Sequence, residues 1–158
     1  MILIRQDKDA FVFQLAAREK LLLLELLKGY PQMPPAQRVV SKSKQLPDQA
    51  TSQRLLDEAL AEQHAENRRQ VHRLVNDAKL WKEAQKYWQL KLSPSELEWM
   101  LQVLNDIRVG SWVQLGSPDE WSEMITPERA PRIWRMELAG AFQMGFLHAL
   151  EGSEGLEA

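Results

Sequence analysis

Two short runs of period two open the chain. Ile2 to Gln6 and Phe11 to Leu15 are rich in β-branched or aromatic residues, and in the second run Phe11, Phe13 and Leu15 share one face. The polar stretch Asp7 to Ala10 between them predicts a β-hairpin with a four-residue loop. From Ala16 or Ala17 straight-chain helix formers take over, and Glu19 to Lys28 predicts a helix stopped by Gly29 with Pro31 behind it. That helix is apolar nearly all round and is expected in the core.

Residues 30–50 hold four of the eight prolines and no clean period, so they read as a surface connection. Its Arg38, Lys42 and Lys44 form either a small basic patch or an ordinary solvated loop. From about Thr51 to Lys86 no glycine or proline interrupts one long helical pattern, whose inward stripe includes Leu56, Leu60, Gln63, Asn67, Val71, Leu74 and Trp81. A straight helix of that span would reach about 54 Å at 1.5 Å per residue, against a radius of gyration near 15 Å for a compact chain of this size, estimated roughly from length. The helix therefore either breaks near Gln63 to Arg69, the favoured reading because the stripe turns polar there, or projects and pairs with a second copy.

Trp88 to Leu92 alternates strictly and predicts a third strand beside the hairpin. Ser93-Pro94-Ser95-Glu96 is a capping box with proline at the first helical position, and the helix it starts ends near Leu115 with Gly116 behind it. Leu15 to Glu19 echoes Leu92 to Glu96 as a strand-to-helix junction. Ser117-Pro118 predicts a short helix to about Met124, Thr126-Pro127 a last helix to about Leu150, and 151–158 a frayed acidic tail. The expected architecture is α+β and mainly α: one domain over 1–150, with a helical bundle supported by a small three-stranded antiparallel sheet.

At 158 residues, 44% hydrophobic and 27% charged, the chain fits one ordinary globular core. The net charge of −2 is unevenly spread: residues 1–47 carry +4, residues 48–92 +1 and residues 93–158 −7, with no lysine after Lys91. This polarity argues against wholesale nucleic-acid binding, which needs a dense basic face, and suits an intramolecular charge match or head-to-tail association. Without cysteine, neither disulfides nor thiolate chemistry is possible. No signal-peptide pattern opens the chain and Leu21 to Leu27 is too short to span a bilayer, so the expected location is cytoplasmic, with no membrane partner.

Chemistry has few places to reside. On a helical wheel of residues 97–115, Leu97, Met100, Leu101, Leu104, Ile107 and Leu115 share a face with Arg108 at its middle, Asn105 at its edge and Asp106 nearly opposite. A guanidinium on a core-facing stripe needs an acid or a ligand anion. On the last helix Trp134, Leu138, Ala141, Phe142 and Gly145 form the apolar face, with Glu137 and His148 on its margin. Glu137 is expected to pair with Arg108, either as a buried ion pair fixing register or within a small polar binding pocket of Asn105, Arg108, Glu137 and His148. Small residues Gly140, Ala141 and Gly145 allow another helix to approach, with Trp112 or Trp99 filling the groove. The six tryptophans, four of them from Trp99 onward, mark a partner surface if two or more are exposed together. His64 and His72 stand about 12 Å apart along one helix and cannot share a metal. No phosphate-cradling glycine loop or nucleophile elbow occurs, so no cofactor, metal or catalytic residue is expected.

The run Leu104-Asn105-Asp106-Ile107-Arg108, in a tryptophan-bearing capped helix, resembles a bacterial family of uncharacterised small helical proteins, a domain of unknown function. The N-terminal strand with its leucine-rich helix matches that family more loosely, and Gly110-Ser111-Trp112 departs from its leucine-rich continuation. Genes of the family tend to lie near the adaptor of the Clp protease, so the resemblance implies an adaptor or regulatory role and supplies no catalytic residues. The expected function is a non-enzymatic protein-interaction domain, with homodimerisation through the 51–86 helix as one route. The alternative is a small-molecule or anion-binding domain centred on Arg108, enzymatic or not; nucleic-acid binding ranks last.

Overall fold

The structure is a computed structural model that describes residues 1–33, 48–119 and 125–154. The N-terminal hairpin forms as the alternation requires. Strand β1 (Ile2–Gln6) pairs antiparallel with β2 (Phe11–Ala16), with a bulge between Leu3 and Arg5. Asp7 closes the loop: its Oδ1 accepts the N–H of Asp9 at 3.0 Å and of Ala10 at 2.9 Å. β2 leads directly into α1 (Ala17–Lys28), where the Glu19 carboxylate accepts the Ala16 N–H at 2.8 Å. Ala16 has no side-chain oxygen to return the bond, so only half of a capping box is present. Leu23, Leu26 and Leu27 are buried, but Leu21 is 64% exposed, so α1 is amphipathic and not wrapped by core on all sides.

Helix α2 (Gln49–Asn76) is continuous through the polar stretch expected to break it and ends ten residues before the expected Lys86. Two local features stop it. Asn76 Nδ2 donates to the His72 carbonyl at 2.8 Å, and Asp77 turns to extended backbone while its Oδ1 accepts the Lys79 N–H at 2.9 Å. The residues beyond form a hairpin of β3 (Trp81–Ala84) and β4 (Tyr87–Leu92), turned at Gln85 with φ 57°. The antiparallel sheet therefore has four strands, in the order β1-β2-β4-β3, and not three. A turn made by a non-glycine residue at positive φ gives no composition signal, and Trp81 fits the helical stripe as well as a strand.

Register fixes what each sheet face carries. Phe13 lies opposite Leu90, Leu15 opposite Trp88 and Trp81 opposite Leu90, so these side chains share the inner face. Phe13, Leu15, Leu90 and Leu92 are fully buried there against Leu23, Met100 and Phe146. Phe13 meets the Phe146 ring edge-on at 4.9 Å between centroids, an arrangement worth about 0.5–1.5 kcal/mol beyond its buried area. At one end of this layer the Lys20 ammonium lies over the Trp88 ring at 3.1 Å, and burial lowers its pKa while Glu83 partly offsets the shift. Val12, Gln14, Gln89, Lys91 and Lys82 alternate onto the opposite face.

Helix α3 (Pro94–Gln114) begins on a complete capping box: Ser93 Oγ accepts the Glu96 N–H at 3.2 Å and Glu96 Oε2 accepts the Ser93 N–H at 2.8 Å. Helix α4 (Ala130–Glu154) follows a turn over residues 127–129, starting later than the Thr126-Pro127 signal and extending into the expected tail. The expected short helix after Ser117 falls largely on residues 120–124, and the Pro-rich connection with Arg38, Lys42 and Lys44 mostly on 34–47; both lie outside the described residues.

Two buried polar side chains tie these elements together. Asn67, in the middle of α2, donates to Tyr30 Oη at 3.0 Å and accepts from Trp99 Nε1 at 3.1 Å, linking the segment after α1 to α3. Asp106, on α3, accepts the backbone N–H of Gln32 at 2.8 Å and of Met33 at 3.3 Å. One turn further along α3, Gly110 lets that same backbone pass: an added Cβ would collide with Gln32 C and Met33 N. Gln114 Nε2 completes the seat by donating to the Gln32 carbonyl at 2.7 Å.

This seat makes a prediction whose sign is informative. Glycine-to-alanine inside a free helix face would stabilise by about 1 kcal/mol, whereas Gly110→Ala is expected to destabilise by about 1–3 kcal/mol through overpacking against backbone. Urea unfolding of the two proteins measures the sign directly.

Candidate functional site

Helices α3 and α4 pack side by side, and the crease on their outward side is a groove of about 890 Å³. Arg108, Val109 and Trp112 of α3 form one wall; Met136, Glu137, Gln143, Met144 and Leu147 of α4 form the other, with Gly140 and Ala141 as floor. Spacings of three and four along both helices place these residues in one stripe each, beside the stripes that face the core. The small floor residues let the Arg108 side chain cross α4: a Cβ on Gly140 would meet Arg108 Cδ at 3.5 Å.

Arg108 is exposed, not buried, and does not pair with Glu137 among the described ion pairs. Its Nε donates to Gln143 Oε1 at 3.2 Å and its Nη2 to Asn105 Oδ1 at 3.0 Å. Two neutral amides thus orient the guanidinium without neutralising it. Asn105 takes part as the orienting group and Glu137 shares the groove, while His148 is exposed and does not line it. Of the four expected residues, Arg108 and Glu137 thus line a largely apolar groove and Asn105 stands beside it, and Arg108 makes no ion pair among the described residues.

The positions of Arg108 and Asp106 on the wheel were inverted for a specific reason. The apolar residues of α3 alone centre its buried face near Arg108, but the segment through Gln32 and Met33 covers the opposite flank and buries Asp106 to 7% exposure. A covering element that is itself backbone leaves no apolar signature in α3. Likewise α4 buries Met136, Ala139, Phe142 and Phe146, so Trp134 is 49% exposed in place of the expected core role. Trp99, the other candidate to fill the groove, turns to Asn67 on the far side of α3. Val109, Gln143, Met144 and Leu147 were not singled out from sequence, although a second stripe of small and flexible apolar residues at three-and-four spacing was visible there.

Trp112, 39% exposed, and Met144, 50% exposed, give the groove its open apolar surface. Among the described residues no group of three or more His, Cys, Asp or Glu could hold a metal ion, and no helix is long and apolar enough to cross a membrane. No family model, curated protein or solved structure matches this chain.

An exposed arginine held by two amides contributes little to folding. Arg108→Ala is expected to lower unfolding free energy by less than about 1 kcal/mol, as read by urea denaturation; a loss above about 3 kcal/mol, the size expected on breaking a buried pair, would restore the buried-ion-pair reading.

Proposed function

We propose that this chain is a non-enzymatic interaction domain that docks an amphipathic helix of a partner protein in the α3–α4 groove. The observation that carries this reading is the combination of an open apolar groove with an exposed arginine at its wall that makes no ion pair among the described residues. Helix-in-groove recognition uses apolar anchors at three-and-four spacing against such a surface, and aromatic and methionine side chains such as Trp112 and Met144 are the types that anchor and adapt at interfaces. Gly140 and Ala141 permit a close helix approach along the floor. Arg108 favours a partner that carries a carboxylate beside its apolar stripe, and an adaptor or regulatory role is consistent with such docking.

The same cation supports the anion-binding alternative, in which a carboxylate ligand meets Arg108 and uses the apolar wall for its body. The two differ in the size of the ligand. Helical peptides with a leucine stripe flanked by either glutamate or lysine, titrated while Trp112 indole is followed by NMR, separate them. The docking reading expects the glutamate-flanked peptide to shift the Trp112 signal and to bind about tenfold more tightly than the lysine-flanked one, a preference that Arg108→Glu abolishes. An unmoved Trp112 signal, or binding by short-chain dicarboxylates alone, would overturn it.

A further inference from the structure

The sheet has a second face, and its chemistry is unlike that of the groove. The strand residues that alternate outward are Ile2 and Arg5 on β1, Val12, Gln14 and Ala16 on β2, Lys82 and Ala84 on β3, and Tyr87, Gln89 and Lys91 on β4, with no carboxylate among them. Glu83, the one acid in these paired positions of β3 and β4, points to the inner side opposite Trp88. At the end of the sheet near the β1–β2 turn lies a shallow bowl of about 390 Å³, whose floor is Ile4, Val12 and Leu80 and whose rim is Arg5, Lys79, Lys82 and Lys91, with Gln89 between.

The register makes this grouping obligatory. Arg5 and Lys91 both lie opposite Val12, one on each side, so they stand two strand spacings apart, about 9.6 Å between backbones. Lys82 lies opposite Gln89, diagonal to Lys91, a relation of about 7–8 Å. Lys79 arrives from the turn that ends α2, whose next residue, Leu80, accepts the Lys91 N–H at 3.2 Å. All four cations are exposed. Among the described ion pairs only Arg5 with Asp7, at 3.7 Å and with both side chains half-exposed or more, involves any of them. Cations on adjacent positions repel, a repulsion that solvent screens and that an anion bound among them would relieve.

We propose that this bowl binds a small ligand of nucleotide size carrying two or more linked phosphate groups, with the phosphates among Arg5, Lys82 and Lys91 and the body of the ligand over Val12 and Leu80. Several cations converging from different strands suit clustered anionic charge better than a single carboxylate, because each additional charge on the ligand meets another donor. The volume accommodates a mononucleotide and is too small for a folded partner. One exposed aromatic, Tyr87, at the far row is too little for the stacking platform that single-stranded nucleic acid uses. This site is independent of the α3–α4 groove, so either can fail without the other.

Isothermal titration at low ionic strength, without magnesium, tests it with inorganic triphosphate, ATP and a twelve-residue oligothymidylate as separate probes. Triphosphate and ATP are expected to bind, ATP more tightly because its nucleoside lies over the floor; equal affinity would remove Val12 and Leu80 from the site. Lys82→Glu and Lys91→Glu are each expected to weaken binding at least about tenfold, while Lys86→Glu, at the β3–β4 turn and outside the bowl, changes net charge equally and leaves affinity within about twofold. Lys82→Gln and Lys91→Gln, milder changes at the same exposed positions, give the same ranking if a reversal impairs folding. Absence of binding by both small probes, equal weakening by Lys86→Glu, or a preference for the oligonucleotide that grows with its length would overturn the proposal.

Discussion

Asn67 is the residue on which the arrangement of helices depends. A side-chain amide buried to 8% exposure in the middle of a 28-residue helix must find both a donor and an acceptor nearby. It finds them in Trp99 Nε1 and Tyr30 Oη, which belong to α3 and to the segment leaving α1. Three parts of the chain that are far apart in sequence are thus held at one point by directional bonds, where apolar contact alone would permit sliding. Below this point α2 buries Val71 and Leu74; among its residues before Asn67 none is buried. The polar interruption of the stripe is the attachment point of the helix and not a break in it.

Asp106 extends the same logic by one layer. With α1 and α2 fixed through Tyr30, the following residues lie across α3, where Asp106, Gly110 and Gln114 at successive turns provide an acceptor, a gap and a donor. This occupies one flank of α3 and leaves the other, carrying Arg108 and Trp112, to form the groove with α4. The candidate docking surface is therefore a by-product of which flank the chain covers. The sheet divides its faces in the same way: helices cover the side with Phe13 and Leu90, and the cations collect on the side left open.

Much of the fold was legible from local signals because those signals act through neighbouring residues. Ser93 and Glu96 satisfy each other across four positions, Asp7 closes its own loop, and the alternation of Phe11 to Leu15 selects a face without reference to the remainder of the chain. What was not legible depended on distant partners. Gln63 and Asn67 read as a defect in the stripe because Tyr30 and Trp99 are 37 and 32 residues away from Asn67. Arg108 reads from the wheel as a buried cation and is exposed, since the apolar residues of α3 do not register the backbone of Gln32 and Met33 that buries Asp106 instead. The β3 strand was lost because a turn at Gln85 uses neither glycine nor asparagine.

The most direct measurement of this account is the unfolding free energy of Asn67→Leu, which keeps a similar volume and improves helix propensity while deleting both bonds. Removing the acceptor of Trp99 Nε1 and the donor to Tyr30 Oη in a buried site predicts a loss of about 2–4 kcal/mol in urea. A protein as stable as the parent, within about 0.5 kcal/mol, would contradict the claim that this amide fixes the helices.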